Sequence, residues 1–190
     1  SGEIGAGNLA AALRLHGGRN SPISESIRTQ FPVRLRESVL IRVFASCCID
    51  TSDGVCAALN ALADLNACGY AVANLPYLAS GLGFCRSASL PGTLLFLGEC
   101  GEYELLFTIQ PDREEPFLIE ARKLGCRFHR LGTITGTGRE LVEDGRTIDL
   151  ESWHGQARDF ESPEQYLEAL GRWLGRQPPA RGATCPAERS

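Results

Sequence analysis

From Val39 to Ile49 the chain is mostly apolar and β-branched, then turns polar at Asp50-Thr51-Ser52-Asp53-Gly54. From Val55 to Cys68 the pattern becomes amphipathic, with Leu59, Leu62, Ala63 and Asn66 at i, i+3, i+4, i+7 spacing. The alternation predicts a strand over Val39–Ile49, a polar turn, and a helix over Asp53–Ala67 with Gly69 at its C′ position. Upstream, Asn8–His16 is Ala/Leu-rich with an apolar face and reads as a helix ending at Gly17-Gly18. Asn20–Arg36, with Pro22 and Pro32, reads as a connector.

Downstream, Ala71–Leu75 reads as a short strand, and Pro76–Pro91 as a short helix with a loop. Thr93–Leu97 and Glu104–Ile109 are apolar, β-rich runs flanking the loop Gly98-Glu99-Cys100-Gly101-Glu102-Tyr103. Pro111-Asp112 opens a helix to about Leu124, ended by Gly125, and Cys126–Ile134 is strand-like. Leu141–Leu150 forms a hairpin around Asp144-Gly145, a strong turn dipeptide. Ser162-Pro163-Glu164 starts a last helix through Leu174, whose apolar face carries Leu170 and Trp173. The tail 177–190 is rich in Pro, Ala and Arg and reads as disordered. Strands with interspersed helices and one hairpin predict an α+β fold with a mixed sheet covered by helices.

Composition narrows the chemistry. The 190 residues are 43% apolar, enough for a core, and carry a net charge of −4. No basic run interleaved with aromatics appears, which argues against nucleic acid as main partner. No apolar stretch reaches the length of a membrane span and no signal peptide opens the chain, so a cytoplasmic protein is expected. The start at Ser1 rather than Met suggests a fragment. Eight cysteines and three histidines show no C-x-x-C and no zinc spacing. Free thiols acting as small apolar side chains are expected.

The polar turn is the place where chemistry concentrates. A strand that delivers Asp50, Ser52 and Asp53 to a helix start brings carboxylates and a hydroxyl next to free backbone N–H groups. Two carboxylates three residues apart suit Mg²⁺, which prefers oxygen ligands, and the helix start suits phosphate. The same residues also suit plain capping, with Ser52 or Thr51 as N-cap and Asp53 in the first turn. Gly132–Gly138 is Gly/Thr-rich but lacks the lysine of a phosphate loop and reads as a turn. His154 beside Trp153, and His129 beside Phe128, read as surface or packing residues.

The segment Cys48-Ile49-Asp50-Thr51-Ser52-Asp53-Gly54 resembles the D-x-S-D-G segment of thiamine-monophosphate kinases. Gly101-Glu102-Tyr103-Glu104-Leu105-Leu106-Phe107-Thr108 resembles their G-E-D-Y-E-L-L-F-T segment, and Ile134–Gly136 with Val142–Gly145 resembles the closing hairpin. Gly5–Leu15 and Pro32–Leu35 are similar to the linker helix and the Pro-x-Arg start of the second domain. The segments keep the family order from about Gly5 to Phe160. These kinases are grouped with aminoimidazole ribonucleotide synthetase, and the resemblance implies its C-terminal domain: three α/β/α layers with partial ferredoxin-like topology.

On that resemblance, residues 1–36 are a linker left from an upstream ATP-binding domain and 37–176 are the C-terminal domain. Asp50 and Asp53 take the catalytic and Mg²⁺-binding positions. Ser52, Gly54, Glu102 and Tyr103 take substrate contacts. ATP, held mainly by the upstream half, a phosphorylated small-molecule substrate such as thiamine monophosphate, and a homodimer are implied. The loop departs from the usual G-G-E-D-Y: here it reads Cys100-Gly101-Glu102-Tyr103. The alternative is a binding or assembly domain that keeps the fold and has lost the chemistry.

Overall fold

The apolar run that reads as one strand is split in two. In the computed structural model, which describes residues 1–17, 32–143 and 145–176, Leu35–Phe44 is a helix (α2) and only Ala45–Asp50 is a strand (β1). Leu40 and Phe44, one turn apart, sit in a cluster with Phe117 and Ala121, and the Phe44 and Phe117 rings meet edge-on at 5.8 Å. This packing, with Glu37 in the first turn and Arg42 in the last, outweighs the strand preference of Val39, Ile41 and Val43.

The chain divides into two compact units. The first holds 1–67 and 75–130. It contains α1 (Ala6–Gly17), α2, β1, α3 (Val55–Asn66), α4 (Ala79–Ser87), α5 (Leu94–Leu97), β3 (Leu105–Ile109) and α6 (Pro111–Lys123). Strands β1 and β3 form a two-stranded antiparallel sheet, with Asp50 opposite Leu105 and Cys48 opposite Phe107. Helix α3 packs on α5, β1 and β3. One core cluster joins Leu9 and Leu13 of α1 to Cys85 and Leu95. The other sets Phe107 and Phe128 around Phe117, with ring centroids 5.6 and 4.7 Å from it.

The second unit holds 68–74 and 131–190, described to Arg176. Its four strands are β2 (Gly69–Ala73), β4 (Gly132–Thr135), β5 (Arg139–Glu143) and β6 (Arg146–Asp149), in the order β4-β2-β5-β6. The β2–β5 pair is parallel and the other two are antiparallel, so this sheet is mixed. Helix α7 (Pro163–Arg176) buries Tyr166 and Leu170. Trp173 packs against Trp153 with ring centroids 5.3 Å apart and planes tilted by 45°, and its ring N–H donates to the Ser152 hydroxyl at 3.0 Å.

The α+β class, the mixed sheet and the hairpin are as the pattern predicts. Besides the split run Val39–Ile49, four element expectations are corrected. Thr93–Leu97 is not a strand: Leu94–Leu97 is one helical turn with all four side chains buried, and a short, fully buried apolar run carries no period to separate the two. Cys126–Leu131 is irregular, and only Gly132–Thr135 pairs. Gly69 is not the C′ residue of α3. Ala67, the C-cap, takes the left-handed conformation (φ 49°), and Gly69 opens β2, where a Cβ would overlap the Gly138 carbonyl oxygen. The N-cap of α3 is Gly54, with no side-chain cap, so neither Thr51 nor Ser52 caps it. Residues 20–31 of the connector Asn20–Arg36, the turn residue Asp144 and the tail from Gln177 lie outside the described residues.

Among the described residues, the only buried cysteines are Cys56 and Cys85, and no helix is long and apolar enough to cross a membrane.

Candidate functional site

The turn after β1 is built around Thr51, which sequence reasoning weighed only as a helix cap. It is 2% exposed. Its amide donates to the Glu104 carbonyl at 3.0 Å, and the Glu104 amide donates back to the Thr51 hydroxyl at 2.9 Å. The Thr51 carbonyl accepts from the Glu102 and Gly54 amides at 2.9 and 3.1 Å. This one inward side chain extends the β1–β3 pairing past Asp50 and fixes where the strand ends.

With Thr51 turned in, its neighbours turn out. Asp50, Ser52 and Asp53 are all exposed. Asp50 Oδ1 accepts from the Ser52 amide at 2.9 Å, and the Ser52 hydroxyl and amide hold the Asp50 carboxyl below the usual carboxylate range. Gly54 then enters α3 at φ 92°, ψ 162°, a region open to glycine almost alone. A Cβ there would lie 2.5 Å from the Gly98 carbonyl oxygen. The turn thus presents two carboxylates and a hydroxyl to solvent beside the first turn of a 12-residue helix, which has no side-chain cap. These are hard oxygen donors of the kind Mg²⁺ takes together with waters and substrate phosphates. Among the described residues no group of three or more His, Cys, Asp or Glu forms a metal site.

The second candidate loop separates into two environments. Tyr103 is 51% exposed, at φ 53°. Glu102 is 3% exposed, and its carboxylate points to the start of α1. Oε2 accepts from the Ala6 and Gly7 amides at 2.9 and 3.3 Å, while Oε1 is buried with no hydrogen-bond partner. Burial pushes the Glu102 carboxyl above its ordinary value, against the pull of the amides of Gly7, Gly5, Ala6 and Asn8. Asn8 holds the same loop: its side-chain amide donates to the Leu95 and Gly98 carbonyls at 3.0 and 3.3 Å, and its Oδ1 accepts from the Cys100 amide at 3.1 Å.

A third acid, Glu104, is buried under the turn and paired with Arg34. Arg34 Nε donates to Oε2 at 2.8 Å and Nη2 to Oε1 at 2.5 Å, a forked pair, and Nη1 reaches Glu37 at 3.2 Å. Sequence reading could have found this pair only by matching the Pro-x-Arg segment to the loop acid. His129 and His154 are exposed.

No family model matches this chain. It is 28% identical over 153 residues to a thiamine-monophosphate kinase from Nitrosopumilus maritimus, a match covering 79% of this chain and 48% of that protein. A thiamine-monophosphate kinase structure from Stenotrophomonas maltophilia superposes with a TM-score of 0.63 at 25% identity, over 74% of this chain and 48% of that one. A structure of AaThiL complexed with AMPPCP and TMP superposes with a TM-score of 0.60 at 22% identity, over 74% of this chain and 45% of that one. The chain therefore spans about half the length of the proteins it matches. That coverage is consistent with one domain, the C-terminal one, of the fold related to aminoimidazole ribonucleotide synthetase.

Proposed function

We propose, from the premise that this chain has the fold of thiamine-monophosphate kinases over about half their length, that it is the C-terminal domain of an ATP- and Mg²⁺-dependent phosphotransferase. Its substrate is a phosphorylated small molecule, with thiamine monophosphate the first candidate. The observation that carries the reading is the turn itself. Asp50, Ser52 and Asp53 are exposed together between a strand end and a helix start, in the segment that resembles the kinases' D-x-S-D-G. Asp50 and Asp53 would hold Mg²⁺, which supplies neutralisation of phosphate charge when bound. Two carboxylates are an incomplete set by themselves, so phosphate oxygens, waters and an upstream acid cluster would complete it. The Ser52 hydroxyl and the first-turn amides of α3 would orient the phosphate, with Gly54 letting the backbone come close. Tyr103, exposed at the loop tip, is the remaining candidate for a substrate contact.

The reading carries finer expectations: three α/β/α layers with partial ferredoxin-like topology, residues 37–176 as the domain, a homodimer, ATP held mainly by an upstream half, and a cytoplasmic setting. The nucleotide part is supported by AaThiL, which is complexed with AMPPCP and TMP in the structure that superposes on this chain.

The test is calorimetric titration of thiamine monophosphate, aminoimidazole ribonucleotide and ATP into this chain, each with and without Mg²⁺. Binding of thiamine monophosphate that needs Mg²⁺ and is lost in Asp50→Ala is the expected result. Silence for all three ligands removes the substrate contacts assigned to this domain by itself. It would favour a binding or assembly domain, the alternative supported by the Glu102 carboxylate being taken up by α1.

A further inference from the structure

Three backbone segments in the first unit touch with no side chain between them. A Cβ on Gly7, at the start of α1, would overlap the carbonyl oxygen of Gly101 in the loop. A Cβ on Gly101 would overlap the carbonyl oxygen of Ser52 in the acid turn. A Cβ on Gly54, closing that turn, would lie 2.5 Å from the Gly98 carbonyl oxygen, back in the loop. Helix start, loop and turn are therefore stacked at backbone contact, and the loop is the middle layer.

Two side chains clamp that layer. From the loop, Glu102 reaches up to the Ala6 and Gly7 amides. From α1, Asn8 reaches down to the Leu95 and Gly98 carbonyls and the Cys100 amide. On the other side the loop hands its position to the turn through the Glu102 amide, which donates to the Thr51 carbonyl at 2.9 Å, and through the Glu104 amide on the Thr51 hydroxyl. The same residue thus holds α1 with its side chain and Thr51 with its backbone. A buried carboxylate with one oxygen left unpartnered is costly, and is retained here at the junction of all three segments.

We infer that Glu102 is a positioning residue: it ties the acid turn Asp50–Gly54 to the N-terminus of α1, so that α1 sets the placement of the two carboxylates. This rests on the proposed function only for what the turn binds. The coupling is a property of the chain itself.

Amide hydrogen exchange on the full chain tests it. Glu102→Ala should speed exchange about tenfold at Thr51, Gly54 and Glu104 as well as at Ala6 and Gly7. The Ala73 amide, bonded to the Leu131 carbonyl in the other unit, should keep its rate. Glu102→Gln, which retains an acceptor for the two α1 amides, should restore the turn. Acceleration confined to Ala6 and Gly7 overturns the inference, because Glu102 would then cap α1 and no more. Uniform acceleration that includes Ala73 also overturns it, since that is plain loss of stability. If Glu102→Ala does not fold, Asn8→Ala loosens the same layer from the α1 side and must give the same pattern at Thr51 and Gly54. A parallel titration with thiamine monophosphate and Mg²⁺ should show about tenfold weaker binding in Glu102→Ala and recovery in Glu102→Gln. Silence of the unsubstituted chain would remove the proposed substrate and leave the exchange pattern to decide the coupling.

Discussion

Thr51→Val isolates the hydrogen bond on which the acid turn depends. The substitution keeps the branched shape and replaces the hydroxyl by a methyl group. It removes the acceptor of the Glu104 amide, now at 2.9 Å, and a weaker donation from the hydroxyl to the Glu104 carbonyl at 3.3 Å. The Glu104 carbonyl keeps the Thr51 amide as donor, so it stays satisfied. The Glu104 amide does not: it loses its acceptor in a residue only 7% exposed. An orphaned buried donor costs about 1–3 kcal/mol. Thr51→Ser is the matched control. It keeps the hydroxyl and loses one methyl from a site 2% exposed, worth about 1 kcal/mol. With a urea slope of about 2 kcal/mol/M, the midpoint should fall by roughly 1 M for valine and roughly 0.5 M for serine. The probe matters. Both tryptophans, Trp153 and Trp173, lie in the second unit, so far-UV circular dichroism must accompany fluorescence to register the loss where it occurs. A valine variant as stable as the serine variant would refute the reasoning: packing, and not the Glu104 amide, would then be what Thr51 supplies.

Three further substitutions address the layers around the turn. Arg34→Met strips the forked partner from Glu104, a carboxylate whose side chain is 9% exposed, and should cost about 3 kcal/mol in urea unfolding, with Arg34→Lys recovering part; a change under about 0.5 kcal/mol would place the pair among weak surface bridges. Gly54→Ala meets both a glycine-only conformation and the Gly98 carbonyl, and should lower stability by at least about 1–3 kcal/mol, whereas a neutral result would mean that the loop and turn separate readily. Glu102→Gln tests the sign of a buried acid. The Glu102 carboxyl is raised in the folded chain, so its contribution is present below the ordinary value of 4.5 and is lost as pH rises through the raised folded value. The stability of the unsubstituted chain relative to Glu102→Gln should therefore decline on going from pH 4 to pH 7, and a difference that stays flat would show that Glu102 ionises as it does in the unfolded chain.

The acid turn was legible because everything that announces it is local. A β-rich stretch, a polar cluster, a glycine and an amphipathic helix follow one another within about twenty residues, and each signal is read from its immediate neighbours. What the sequence pattern misassigns is what depends on distant partners. Leu35–Phe44 carries β-branched residues at 39, 41 and 43, and becomes a helix because Leu40 and Phe44 meet Phe117 some seventy positions away. Leu94–Leu97 is too short and too uniformly apolar for any period to exist, so only its surroundings choose between turn and strand.

The same division runs through the candidate residues. Asp50, Ser52 and Asp53 are exposed because Thr51 between them is not, and the inward direction of Thr51 is decided by Glu104, fifty-three positions on. Glu102 and Tyr103 are adjacent in sequence and similar in apparent promise, yet Tyr103 is half exposed while Glu102 is spent on the amides of Ala6 and Gly7, ninety-five positions and more away. Motif resemblance places both in one loop. Which of them faces solvent and which faces the fold goes with the three crowded glycines, Gly7, Gly54 and Gly101, whose missing side chains leave room only for backbone. A substitution at any of these glycines should thus reach the carboxylates without touching them, and that reach is what separates a turn held in place by its neighbours from one that merely follows a strand.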